Sequence, residues 1–172
     1  MKKRLIFLNA AIVIVGFAVA FFVAGVRIQN QYRTEFSNRL NTALGVLETR
    51  LDDIRLNPDG VAEEVGKKLS GFGQDIRISV VKPDGTVVGD TVKREINQNH
   101  LDRPEIRQAL ENGRGYNTRR SESTGQRYDY AAVYLPGKYF LRAALPTSEL
   151  DAALSRLWTT ALLSMLLGIA VV

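Results

Sequence analysis

The chain has 172 residues, no cysteine and a single histidine, with a formal net charge of +5 at pH 7. Without cysteine there can be no disulfide staple, no thiol chemistry and no zinc–thiolate centre, so stability must come from an apolar core. The positive balance is not a nucleic-acid signature. Every acidic residue lies between Ile28 and Arg156, together with all the basic ones except Lys2, Lys3, Arg4 and Arg27, so this long middle stretch is close to neutral.

Leu5 to Val26 contains no charged side chain, and Asn9 is its only strongly polar one. At about 1.5 Å per helical residue such a run spans a hydrocarbon core of roughly 30 Å. A secretory signal peptide is the alternative, with Lys2, Lys3 and Arg4 as its basic start. Its apolar region would be shorter and would close on a small-x-small cleavage site, whereas this run continues through Phe21, Phe22 and Val23. The expectation is a retained anchor (residues 5–26) after a cytoplasmic N-terminus (1–4), since basic residues before a span favour the cytoplasmic side.

Apolar residues then recur at Tyr32, Phe36, Leu40, Ala43, Leu44, Leu47, Leu51 and Ile54, in steps of three and four. This predicts one amphipathic helix, or nearly one, from Tyr32 to Ile54, closed by Asn57-Pro58-Asp59-Gly60. Val61, Val65 and Leu69 predict a short second helix, stopped at Ser70-Gly71-Phe72-Gly73. Ile76, Ile78 and Val80 alternate with Arg77 and Ser79, as in a half-buried strand. Lys82-Pro83-Asp84-Gly85 has turn chemistry, and Thr86 to Gly89 returns as the partner strand. Asp102 and Glu105 bracket Pro104 as an N-terminal cap for a helix over Arg103–Glu111 that buries Ile106 and Leu110.

Three further strands follow: Gly115–Ser121, Tyr128–Leu135 after the Glu122–Gln126 turn, and Tyr139–Leu145 after Pro136-Gly137. Thr147 opens a last helix that runs into Leu157–Val172, a second apolar run with Trp158 at its start, where an interfacial aromatic belongs. That run (157–172) is shorter than the ~20 residues a span needs, so the second span is expected to continue beyond Val172. The reading is an α+β domain (residues 27–156), five antiparallel strands with helices on one side, flanked by two transmembrane helices.

Val80-Val-Lys-Pro-Asp-Gly-Thr-Val-Val-Gly-Asp90, Asn99-His-Leu-Asp-Arg-Pro-Glu-Ile-Arg-Gln-Ala-Leu110, Thr118 to Glu122 and Leu141-Arg-Ala-Ala-Leu-Pro146 resemble the extracytoplasmic sensor region of bacterial sensor histidine kinases. The nearest type is the phosphate-response (PhoR-like) group, whose outer module is PAS-like in the single-Cache style. The resemblance runs from about residue 28 to the end of the chain. It implies a homodimer held in the cell membrane, with the domain outside and a small-molecule or cell-envelope ligand. It also implies that a phospho-accepting histidine hairpin and an ATP-binding domain, using ATP and Mg, follow Val172 and act on a response regulator. His100 lies on the outer side and cannot be that phospho-acceptor. The same module could instead drive a chemoreceptor or a diguanylate cyclase, or be a tethered surface-binding domain with no output.

No nucleophile–base pair, metal-ligand cluster or phosphate-binding glycine loop is legible, so neither a catalytic nor a metal site is expected, and no cofactor in this stretch. Asp52-Asp53 and Glu63-Glu64 read as solvated helix faces. His100 titrates near neutrality in water and could sense pH; the plainer reading is a turn residue beside Asp102. In a PAS-like domain the sheet and the helix packed on it enclose the ligand, which points to Arg119, Arg120, Tyr128 and Tyr130. An arginine fork grips a carboxylate, and tyrosine offers a hydroxyl on an apolar body. Strand alternation lets only one of Arg119 and Arg120 face inward and places Tyr128 and Tyr130 together. The alternative is that the arginines are solvated and the tyrosines belong to the core.

Overall fold

The computed structural model describes residues 2–70 and 76–171, which divide into two units, Met1–Thr34 with Ser148–Val172 and Glu35–Thr147. In chain order the elements are α1 (Lys2–Glu48), α2 (Leu51–Leu56), α3 (Pro58–Ser70), β1 (Arg77–Val81), β2 (Val87–Asp90), a 3-10 turn (Lys93–Glu95), α4 (Pro104–Asn112), β3 (Arg114–Arg120), β4 (Arg127–Leu135), β5 (Tyr139–Pro146) and α5 (Ser148–Val171). The stop expected at Gly71-Phe72-Gly73 lies outside the described residues.

The first unit is helical. Two helical segments, Ala11–Glu48 and Ser148–Gly168, are each long enough to cross a membrane and contain an 18-residue stretch apolar enough to do so. Ile12, Phe22, Leu162 and Leu167 all point outward, an apolar surface that water disfavours and lipid accepts. The two helices approach at Gly25, where an added Cβ would lie 3.5 Å from Leu157 Cδ2.

In the second unit the predicted stripe holds. Phe36, Leu40, Ala43, Leu44, Leu47 and Ile54 are buried, and Leu51 is half-buried. The helix carrying it is broken once. The Thr49 hydroxyl donates to Val46 O (2.8 Å) and Arg50 N to Leu47 O (3.0 Å), a tightening that ends the regular ladder, and α2 restarts at Leu51. Asn57 closes α2 as its C-cap, as expected, and the same Asn57-Pro58-Asp59-Gly60 stretch also opens α3. Asn57 Oδ1 accepts from Gly60 N at 2.9 Å and Pro58 takes the first helical position, where its missing N–H costs nothing.

The sheet is antiparallel throughout, in the order β2-β1-β5-β4-β3. The turn between β1 and β2 is the expected one: Asp84 Oδ1 accepts from Thr86 N (2.9 Å), and Gly85 has φ +89°. Ser79 stands opposite Asp90 on one side and Arg142 on the other, and Arg142 stands opposite Ala132. These four residues therefore share one face, here called the front.

Helices cover both faces, not the single face expected. On the front, an added Cβ at Gly115 would lie 2.0 Å from Glu105 O, so α4 sits directly on β3. On the back, a Cβ at Gly89 would lie 2.5 Å from Pro58 O at the start of α3. The cause is in the strands, which are apolar on both sides. Ile78, Val80, Leu141, Ala143 and Leu145 are buried on the back, while Val81, Val87, Ala132 and Phe140 gather on the front with Ile106 and Ala109 of α4. Burial at both faces needs a cover on each. Leu110, expected in the core, is exposed, because α4 turns Glu105, Ile106 and Ala109 inward.

Candidate functional site

The front face has an apolar half and a charged half. In the charged half, β1 supplies Arg77 and Ser79, β2 supplies Asp90, and β5 supplies Arg142, all buried. The half-buried alternation expected of β1 is thus absent: all five of its residues are buried, because its polar positions face this site and not water.

Arg142 is 1% exposed. Its Nε and Nη2 donate to Ser79 Oγ (3.2 and 2.9 Å), its Nη1 donates to Glu105 Oε1 (3.3 Å), and Ser79 Oγ donates to Asp90 Oδ2 (2.6 Å). Arg77 grips both oxygens of Asp90 at 3.0 Å and lies 3.1 Å from Glu95 Oε2. Arg119 donates to both oxygens of Glu105, at 3.0 and 3.3 Å. The Arg119 and Arg142 guanidinium carbons stand 4.3 and 5.3 Å from the centre of the Tyr130 ring, whose electron-rich face favours cations. Each of the buried carboxylates Asp90, Glu95 and Glu105 thus has an arginine, the condition under which charge survives out of water.

These charges set each other's protonation. Burial pushes Glu105 up, but the Arg119 hydrogen bonds and the Arg142 and Arg119 charges outweigh it and hold the carboxyl below its ordinary value. Glu95 is likewise held down, as the Arg77 charge and hydrogen bonds from Ser123 and Arg77 exceed the cost of its burial. His100 goes the other way. Burial first, then the charges of Arg142 and Arg103, lower it to about 4 against the pull of Glu95, so the ring is neutral at pH 7.

The charged half opens into a cavity of about 310 Å³ lined by Arg77, Arg103, Arg119 and Arg142, by His100 and Tyr130, and by Glu95, Glu122, Ser121 and Ser123 among others. Among the described residues the buried side-chain polar atoms with no hydrogen-bond partner are His100 Nδ1, His100 Nε2 and Arg103 Nε. All three belong to residues lining this cavity. His100 Nε2 lies 3.1 Å from Glu95 Oε2, close but outside hydrogen-bonding geometry. Buried polar groups are normally satisfied, so unmet ones mark a place for something else.

Of the residues expected at a site, Arg119 and Tyr130 line the cavity. Tyr128 is buried behind them, its ring 5.9 Å from that of Tyr130. Arg120 points away and donates to Gly125 O at 2.7 Å. Asp102 and Glu105 are not caps. Arg103 holds the N-cap position of α4 without a side-chain cap bond, Asp102 is exposed, and Glu105 is drawn to the sheet by two arginines. Arg77, Arg103 and Arg142 also line the cavity and were not singled out from the sequence, and His100, weighed there as a pH sensor or a turn residue, lines it as well. A signal for Arg142 was present: it is the one charge in the apolar strand Tyr139–Pro146. No group of three or more potential metal ligands occurs among the described residues.

No family model matches the chain, and no curated protein does. Among solved structures it is similar to the ligand-binding domain of a Campylobacter jejuni chemoreceptor in complex with 4-methylisoleucine, with a TM-score of 0.53 at 10% identity over 82% of this chain and 61% of that one. The E. coli DcuS sensor domain aligns with a TM-score of 0.49 at 18% identity, over 68% of this chain and 95% of that one. The sensor domain of the V. cholerae histidine kinase DctB aligns at 0.45 and 12%, over 88% and 60%. The chain spans about three fifths of the chemoreceptor and DctB domains. The fold is α+β, a five-stranded antiparallel sheet with a long N-terminal helix, short helices and two apolar helical segments, and it is this fold that the chain shares with the chemoreceptor domain.

Proposed function

We propose that this chain is the extracytoplasmic signal-input module of a membrane-bound two-component sensor histidine kinase, of the phosphate-response type whose outer region it resembles. The observation that carries the reading is the cavity on the charged half of the sheet, where the unpartnered nitrogens of His100 and Arg103 meet arginine side chains. Such a site suits a small polar ligand, whether free or part of the cell envelope. His100 and Arg103 are its first contacts, with Arg119 and Tyr130 lining the same cavity and Arg120 and Tyr128 as their strand neighbours.

Residues 5–26 and 157–172 span the membrane, with the basic N-terminus in the cytoplasm and residues 27–156 outside. Strand β5, which carries Arg142, is separated from α5 by Thr147 alone in the chain, and along this connection a change at the cavity is passed to the second span. A ligand that prefers one of two arrangements by about 1–3 kcal/mol is enough to bias the output. The module works as a homodimer. ATP, Mg and the response regulator belong to the cytoplasmic part after Val172.

The coding sequence downstream of Val172 tests this. It is expected to encode a histidine-bearing helical hairpin and a glycine-rich ATP-binding domain. A chemoreceptor coiled coil or a cyclase domain there overturns the kinase and keeps the input module. A stop within a few dozen residues overturns signal transmission altogether.

A further inference from the structure

The four arginines lining the cavity are not equally held. Arg77, Arg119 and Arg142 are paired with Asp90, Glu95 and Glu105, whose side chains are almost wholly buried. Parting any of these pairs strands a charge in the interior, which is strongly unfavourable. Arg103 differs. Its side chain is 17% exposed, yet its fork is taken by Glu122, whose side chain is 75% exposed, with both N–O distances at 2.9 Å. Asp102 offers only a distant second anion, 3.9 Å from Nε. A carboxylate as exposed as Glu122 can return to water at little cost, and surface ion pairs of this kind are weak.

Two independent observations point to a ligand in the same place. Arg103 Nε is buried and unpartnered, and His100, 1% exposed and one turn earlier, leaves both ring nitrogens unpartnered on the same cavity. Glu122 also shows which chemistry fits the fork, since a carboxylate already sits there in two-pronged geometry. The segment that carries it, Ser121 to Gln126, is fastened from beneath by the hydroxyls of Ser123 and Ser121, which accept from Arg77 Nη1 at 3.1 and 3.5 Å.

We propose that Glu122 is an internal competitor of the ligand: its carboxylate occupies the Arg103 fork, and a small carboxylate entering the cavity displaces it and releases the tether that Glu122 gives the Ser121–Gln126 segment. The proposal rests on the ligand-binding reading of the cavity. A carboxylate with a neighbouring hydroxyl gains more than a plain one, because His100 supplies both a donor and an acceptor when neutral.

The test titrates the full chain in lipid nanodiscs with acetate and glycolate, with binding read by ligand-observed NMR. Glu122→Gln, which keeps the shape and removes the charge at an exposed position, is expected to bind both about three- to fivefold tighter than wild type, glycolate ahead of acetate. Saturating glycolate is expected to speed amide hydrogen exchange over Ser123–Gln126 in wild type to the rate of ligand-free Glu122→Gln. Unchanged affinity in Glu122→Gln, with wild type binding, overturns the competition and leaves the ligand site standing. Weaker affinity makes Glu122 a ligand contact and also overturns it. If neither protein binds either carboxylate, this proposal and the ligand-binding reading fall together.

Discussion

Arg142 Nη1 donates to Glu105 Oε1 at 3.3 Å, and neither side chain reaches solvent. This pair ties the middle of β5 to the first turn of α4, and through Arg119 it also ties in β3. The charged half of the front face is therefore part of what holds the helix on the sheet, as well as the floor of the cavity.

Glu105→Gln is expected to destabilise the sheet domain by about 3 kcal/mol, because it leaves buried Arg142 with only Asp90, 3.7 Å away and already held by Arg77, to balance its charge. Arg119 can turn to water and contributes less to that loss. The double variant Glu105→Leu with Arg142→Met should be less destabilised than the two single losses combined, since removing both charges removes the penalty. Denaturant unfolding of the full chain in detergent, followed by tyrosine near-UV circular dichroism, gives both numbers. Simple additivity would show that the two residues do not act as a pair.

Stability should fall with acid in two stages. His100 is held at about 4 in the folded state against an ordinary 6.5, so between these values the unfolded chain binds the extra proton and stability declines as pH drops. Glu105 and Glu95, held below their ordinary 4.5, stabilise fully above that value, and their contribution is lost only as pH falls through their folded values. His100→Gln should flatten the limb from 6.5 to 4 and leave the lower one intact. Unfolding midpoints at half-unit pH steps would reveal a limb that persists in the variant, in which case the histidine is not its source.

Gly115→Ala should be costly and Gly45→Ala should not. A Cβ at Gly115 would meet the backbone oxygen of Glu105 at 2.0 Å, and that atom cannot move without shifting α4 off β3. Overpacking of this kind costs about 1–3 kcal/mol or more. At Gly45, in the last turn of α1, nothing lies within 4 Å, and alanine should be neutral or stabilise by roughly 0.5–1 kcal/mol. Thermal unfolding of the two variants side by side provides the comparison.

Arg119→Ala and Arg120→Ala should separate cleanly despite being neighbours. Loss of Arg119 removes two hydrogen bonds to Glu105 and the cation over Tyr130, so Glu105 should titrate higher and stability at pH 7 should drop by about 1–3 kcal/mol. Arg120 makes one exposed bond to Gly125 O, and its loss should stay within about 0.5 kcal/mol. Equal effects would mean that the alternation of β3 does not decide which arginine matters.

The sequence by itself determined what depends on local periodicity and on chain length in a bilayer. The apolar run from Leu5, the stripe from Phe36 to Ile54, the Asp84-Gly85 turn and the succession of helices and strands along the chain could be read without a structure; the order of strands in the sheet could not. Each is set by side chains a few residues apart, or by the number of apolar residues in a row. The site was only half legible. Alternation placed Arg119 opposite to Arg120 and Tyr128 beside Tyr130, but it could not say whether the polar positions of β1 faced water or protein. Tertiary structure decided that. With helices on both faces, Arg77 and Ser79 look into the interior, and register brings Asp90 from the next strand and Arg142 from a strand distant in sequence to either side of Ser79. Glu105 reads as a helix cap until two arginines from other strands stand over it, and His100 reads as a turn residue until burial removes its water. Long-range packing sets both roles, because the energy of a charge depends on which other charges share its low-dielectric surroundings, and adjacency along the chain does not record that.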